Sequence, residues 1–201
     1  QGLVLVNLDP DAERTLDWKR GLGKAFSHEA LGQALPEFEK KNIRPVGLRI
    51  HLAKDILIPE PNQTVEISGG QNPKYKEVDL TKEDFYLEPD QFILGATHEA
   101  IQTPPNILAI LDGRSTVARL GITTHITASI VDGTFEMPHV VVLEIKNVGN
   151  FRVKLKFKDP IAMMVFTELK ENVVQKIQSQ YGGGQSKVTP PNINFKTGQD
   201  K

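Results

Sequence analysis

From Ile43 onward the apolar residues of this chain fall on a period of two, with Leu48, Ile50 and Leu52 alternating with Arg49 and His51. Successive side chains of an extended chain point to opposite faces, so this spacing predicts a strand buried on one side only. Short apolar runs then recur at 56–58, 64–67, 92–94, 107–111, 122–126, 140–145, 153–157 and 161–166, separated by Pro, Gly, Asn and Asp. Many short strands at close spacing, with no helical pattern between them, imply a sandwich, jelly roll or barrel and disfavour a parallel α/β architecture.

The amino-terminal stretch has a different texture. Residues 9–40 carry Asp, Glu, Lys and Ala with apolar positions at helical intervals, which predicts two short helices. Ser27 is placed to cap the second, where Ala30, Leu31, Ala34, Leu35 and Phe38 form one stripe; Pro36 ends or kinks it near Leu35. The expected organisation is a helical extension at 1–41, a β domain at 42–181 and a flexible tail at 182–201. Residues 68–79 read as an exposed hairpin excursion or loop.

Composition narrows the function classes. With 24 Lys+Arg against 25 Asp+Glu the formal charge is −1, which disfavours a nucleic-acid partner held by phosphate attraction. No apolar run approaches the roughly 20 residues that span a bilayer, and the first residues lack the layout of a signal peptide, so the expectation is a cytoplasmic protein with no membrane partner. The chain contains 0 Cys, which removes thiolate nucleophiles and every zinc site that uses sulfur. His28, His51, His98, His125 and His139 show no metal-binding spacing, so no histidine metal site is expected, and any enzyme chemistry rests on carboxylates, His, hydroxyls, Arg or a metal bound through oxygen or nitrogen.

One segment stands out chemically: Asp112-Gly113-Arg114-Ser115-Thr116-Val117-Ala118-Arg119-Leu120-Gly121, between two apolar runs. Arginine offers a fork of donors suited to phosphate oxygens, hydroxyls add short donors, and a glycine lets the backbone approach an anion. Taken alone, the string better suits a short surface helix or turn whose arginines pair with carboxylates. Taken alone, Glu144 in Val142-Leu143-Glu144-Ile145 suits an outward residue of an alternating strand, and Asp132 before Gly133 suits a turn.

Several motifs in register change that weighting. The run LEPDQFILGATHEAIQTPPNILAILDGRSTVARLGITTHITASIVD, followed by VVVLEIKN and DPIAMMVF, resembles the dCTP deaminase branch of the dUTPase superfamily. That family carries Pro-x-x-Phe-x-Leu-x-x-Thr-x-Glu, Gly-Arg-Ser-Ser-x-x-Arg-x-Gly, His-x-Thr-Ala, Ile-Asp and Leu-Glu in this order. The resemblance implies a mostly β, distorted jelly roll or barrel of the dUTPase-like type, assembled as a homotrimer with sites between subunits. It implies that Arg114, Ser115 and Thr116 line a nucleotide pocket, that Glu144 is the catalytic carboxylate supported by Ser115 and Arg119, and that Asp132 contacts the sugar end. His125 and Thr127 would be positioning residues, and Ala128 would offer its backbone carbonyl to the base or the attacking water. The segment Gln180-Tyr181-Gly182-Gly183-Gly184-Gln185 resembles the family's Lys-Tyr-x-Gly-Gln tail, which assigns Tyr181 and Gln185 to the triphosphate.

The implied reaction is hydrolytic deamination of dCTP to dUTP and ammonia, with magnesium arriving on the triphosphate. Glu144 would shuttle the protons, in place of the metal-activated water of zinc deaminases, whose His-x-Glu and Pro-Cys-x-x-Cys motifs are absent here. A dUTPase, a bifunctional enzyme releasing dUMP and pyrophosphate, and a non-catalytic trimeric nucleotide-binding protein are the alternatives. The chain departs from the pattern at four places: Asp132 to Glu144 is two residues longer, Gly47 replaces an Asp, Met163 a Gln and Gln180 a Lys.

Overall fold

The computed structural model describes residues 2–4, 16–17, 23–24, 42–44, 47–67, 71–103, 106–131, 139–172 and 185–193. Among them fifteen strands and one short helix follow in order: β1 (Gly2–Val4), β2 (Leu16–Asp17), β3 (Gly23–Lys24), β4 (Ile43–Arg44), β5 (Gly47–His51), β6 (Asp55–Pro59), β7 (Tyr75–Asp79), β8 (Phe85–Leu87), β9 (Phe92–Gln102), β10 (Ile107–Gly113), α1 (Ser115–Arg119), β11 (Ile122–Thr123), β12 (Ile130–Val131), β13 (His139–Asn147), β14 (Val153–Leu155) and β15 (Pro160–Glu168).

Two sheets carry the architecture. One runs β11-β13-β9-β6-β7 with β1 added parallel to β9; the other runs β12-β10-β15-β5-β4. The period-two pattern decides what lies between them. On β5 the pleat sends Leu48 and Ile50 inward, on β10 Ala109 and Leu111, on β15 Ala162 and Met164, and these meet Ile93, Leu143 and Ile145 of the first sheet in one core. Each buried Leu or Ile contributes about 1.5–3 kcal/mol. Past β5 the chain crosses between sheets at Leu52, which bridges Thr97 of β9 and exchanges backbone hydrogen bonds with Lys158 and Asp159. The result is the expected mostly β, distorted jelly roll.

The pairing of β9 with β13 slips between Val140 and Val142. Val140 faces Ala100 while Val142 faces Ala96, so residues 97–99 stand opposite Val141 alone. Side chains staple this irregularity: the Thr97 hydroxyl donates to the Glu99 carbonyl at 2.6 Å and accepts the Val141 amide at 2.9 Å. Glu99, only 4 % exposed, accepts the His51 amide at 3.0 Å and lies 2.6 Å from His51 Nδ1. Such bulges bend a strand and re-aim its side chains.

Several expectations need correction. Leu16–Asp17 and Gly23–Lys24 pair as a short antiparallel ribbon where helix was expected; the apolar stripe of Ala30 to Phe38 lies outside the described residues. Residues 64–67 form no strand, because nothing pairs with them: Val65 and Ile67 are exposed in a loop held by Gln63, whose amide spans to the Lys74 backbone. Tyr75–Asp79, expected within a loop, is a strand paired along its length with β6. The run at 122–126 contributes only β11, and the described part of the expected flexible tail, 185–193, is packed against the first sheet. Among the described residues no helix is long and apolar enough to cross a membrane.

Candidate active site

Glu144 owes its position to the alternation of β13. Leu143, Ile145 and Asn147 point into the main core, so Val142 and Glu144 point to the other face. There they border a cavity of about 420 Å³ whose walls include Tyr75, Phe92 and Leu94 from the facing strands, Ala128 from the loop after β11, and Gln185 with Pro190 and Pro191 from the carboxy-terminal segment. A mostly apolar cavity with aromatic side chains in its wall suits a pyrimidine ring. The Ile126 amide donates to Glu144 Oε2 at 3.2 Å, which orients the carboxylate and leaves further lone pairs for a water and an exocyclic amine. Burial pushes the Tyr75 hydroxyl above its ordinary value, so it stays a neutral donor at the rim.

The carboxy-terminal segment closes this cavity as a strap. Val188, 2 % exposed, enters a second apolar cluster with Leu57, Leu94, Ala96, Ala100 and Val140. The Val140 amide donates to the Gln185 carbonyl at 2.9 Å, the Thr189 hydroxyl meets Gln185 Oε1 at 3.3 Å, and the Ile193 amide donates to Asn72 Oδ1 at 2.9 Å. Lys187 reaches Glu77 at 3.4 Å. Gln185 is thereby held at the cavity that Glu144 borders.

The segment singled out by its arginines and hydroxyls forms the end of β10 and α1. Arg114 is extended and precedes the helix, where Ser115, Thr116 and Arg119 are exposed. Its guanidinium donates to the carbonyl of Pro160 at the start of β15. Burial, and then the charges of Arg49 and Arg44, push Arg114 below its ordinary value; it remains charged. After α1 the chain reverses at Gly121, whose φ of +77° and tight approach to Gly149 both require glycine. Asn147 fixes this corner: its amide nitrogen donates to the carbonyls of Leu87 and Phe151, and its oxygen accepts the Gly149 amide.

Of the residues expected to act together, the structure gathers Glu144, Ala128 and Gln185 at one cavity. Arg114, Ser115, Thr116 and Arg119 share a second location, and neither Ser115 nor Arg119 hydrogen-bonds Glu144 among the described residues. His125 sits between the two: Nε2 lies 3.5 Å from Asp112, and Nδ1 is buried with no hydrogen-bond partner among the described residues. Thr127 is exposed in the same loop. Asp132 and Tyr181 lie outside the described residues. Sequence reasoning missed Tyr75 and the two prolines, since none carries a motif, and it gave Phe92, the Phe of the Pro-x-x-Phe-x-Leu motif, no role in a site; only the pairing of β7 with β6 and the strap bring them together.

Among the described residues no group of three His, Asp or Glu side chains is placed to hold a metal ion.

A family model described as dCTP deaminase-like matches residues 24–169. A dCTP deaminase from Halorubrum lacusprofundi is 41% identical over 88 residues, covering 44% of this chain and 42% of the relative. A dCTP deaminase from Natronomonas pharaonis is 29% identical over 161 residues, 80% of this chain and 73% of the relative. A dUMP-forming dCTP deaminase from Nanoarchaeum equitans is 29% identical over 189 residues, 90% of this chain and 91% of the relative. The crystal structure of a 2'-deoxycytidine 5'-triphosphate deaminase from Agrobacterium tumefaciens superposes with a TM-score of 0.54 at 16% identity, over 69% of this chain and 45% of that one.

Proposed function

Because the chain belongs to the dCTP deaminase-like family, we propose that it hydrolyses dCTP to dUTP and ammonia, with Glu144 as the group that moves the protons. The observation that carries this reading is the carboxylate of Glu144, oriented by a backbone amide, at the wall of a mostly apolar cavity of about 420 Å³ that has room for a pyrimidine ring. Glu144 takes a proton from water as the oxygen attacks C4 of the cytosine ring. It then gives that proton to the exocyclic amine, the C4–N bond breaks, and ammonia leaves. The Ala128 carbonyl and Gln185 flank the ring, and Tyr75 and Phe92 exclude bulk water from it.

The active assembly is a homotrimer in which Ser115 and Arg119 of one copy reach Glu144 of the next. Support comes from the exposure of both residues and from exposed apolar neighbours: Leu120, Ile126, Val148 and Ile130, the last 68 % exposed. Arg114 and Thr116 hold the triphosphate, with magnesium bound to it, while His125 and Thr127 position the loop that carries Ala128. Asp132 contacts the sugar and Tyr181 the phosphates. The protein works in the cytoplasm on free nucleotides.

A second reading, continuation to dUMP and pyrophosphate, is favoured by the dUMP-forming relative from N. equitans, which aligns over nearly the whole chain. Incubation with magnesium and dCTP, followed by separation of the nucleotides, decides between them. Accumulation of dUTP with ammonia supports deamination alone, dUMP with pyrophosphate supports the second reading, and unchanged dCTP overturns both.

A further inference from the structure

The outer face of the second sheet gathers three arginines that the reading above uses only in part. Directly opposed residues of antiparallel strands share a face, as do residues two apart on one strand. Arg44 of β4 stands opposite Gly47 of β5, Arg49 stands two residues beyond Gly47, and Arg49 in turn stands opposite Met163 of β15. Arg44 and Arg49 are thus diagonal neighbours on one face. Arg114 leaves β10 at the same end of the sheet, and its guanidinium donates to Pro160, the first residue of β15.

None of the three forms an ion pair with another described residue. The nearest acid in the row is Asp112, one strand beyond Met163, and it lies 3.5 Å from His125. Position 47, which faces Arg44, cannot itself carry an acid, because a Cβ there would lie 2.1 Å from the carbonyl oxygen of Met164. Arg49 Nε is buried and has no hydrogen-bond partner among the described residues. A buried donor left unpaired and three like charges left without an acid both cost folding free energy, and a polyanion offsets both at once.

We propose that Arg44 and Arg49 join Arg114 in one cationic cradle for the polyphosphate of the nucleotide, with the guanidinium of Arg49 donating to a phosphate oxygen. This rests on the nucleotide reading and deepens it: strands β4 and β5, as well as the turn at Arg114, recognise the triphosphate. Burial first, and then the repulsion of Arg49 and Arg44, lowers Arg114, and a bound phosphate offsets that repulsion. Arg44 and Arg49 then discriminate the triphosphate from shorter phosphate chains.

Calorimetric titration of the full chain with inorganic tripolyphosphate tests the cradle without requiring turnover. The wild-type chain should bind it, dCTP should displace it, and the affinity should fall as salt rises. Arg49→Gln and Arg44→Gln should each weaken tripolyphosphate roughly tenfold or more, as expected for a lost charge-assisted hydrogen bond. Deoxycytidine binding should be unchanged in both. Arg44 is exposed, so its variant reports even if Arg49→Gln does not fold. The proposal is overturned if the wild type does not bind tripolyphosphate, if dCTP and tripolyphosphate bind together, or if both variants bind within twofold of wild type. In the last case, an altered sedimentation coefficient would mark them as interface residues. A chain that binds tripolyphosphate in competition with dCTP but releases no ammonia keeps the cradle and loses the proposed activity.

Discussion

At the scale of single residues, Glu144 and Asn147 share a strand and make opposite predictions. Gln at position 144 is nearly isosteric and keeps the acceptor for the Ile126 amide, but it cannot carry a proton. Glu144→Gln should therefore lower deamination by about 10⁴-fold or more while leaving dCTP affinity within a few fold, measured by ammonia release and by calorimetry. Asn147→Ala should instead cost roughly 2–4 kcal/mol in a denaturant titration, since it strips partners from the buried Leu87 carbonyl, the part-buried Phe151 carbonyl and the Gly149 amide. The Glu144 position was readable because its neighbours fix the pleat; its cavity was not, because Tyr75 and Phe92 belong to strands far away in sequence. The pairing of Glu99 with His51 was equally hidden, since 48 residues separate them and neither alone departs from an ordinary surface residue.

At the scale of elements, strands with strong apolar alternation were legible and those at edges were not. The strand at Tyr75–Asp79 has the burial pattern of an edge, with Val78 as its one buried side chain, so its lysine and glutamate resemble a loop. The run at 64–67 shows the converse: apolar residues make no strand without a partner. The strap at 185–193 was misread because glycine and proline dominate its surroundings, whereas Val188 alone anchors it in an apolar cluster. Val188→Asp should release the strap, at a cost of about 2–3 kcal/mol for the lost burial. Limited proteolysis should then cut within 185–193, and KM for dCTP should rise while circular dichroism stays β-rich. Gly121→Ala should act on the fold itself: the positive φ and a Cβ 2.6 Å from the Gly149 nitrogen predict a melting temperature lower by roughly 5–10 °C.

At the scale of the whole molecule, the proposed shared site turns the separation of Glu144 from Ser115 and Arg119 into a prediction that activity requires assembly. Light scattering at micromolar concentration should give three times the monomer mass of 22.3 kDa. Mixing Glu144→Gln chains with Arg119→Ala chains, each inactive, should restore part of the activity by pairing an intact carboxylate with an intact arginine. A monomeric active protein would remove the shared-site arrangement. The slip between β9 and β13 has a consequence of its own for how such a chain tolerates change. The paired positions sum to 240 at Val140 and Ala100 and to 238 at Val142 and Ala96, so β9 carries two surplus residues there. Two is one full repeat of the pleat, and the side chains beyond the slip return to the faces they would have had without it. Insertions and deletions at this point are therefore counted in pairs: a change of two residues preserves the phase of the end of β9, while a change of one turns Ile101 outward.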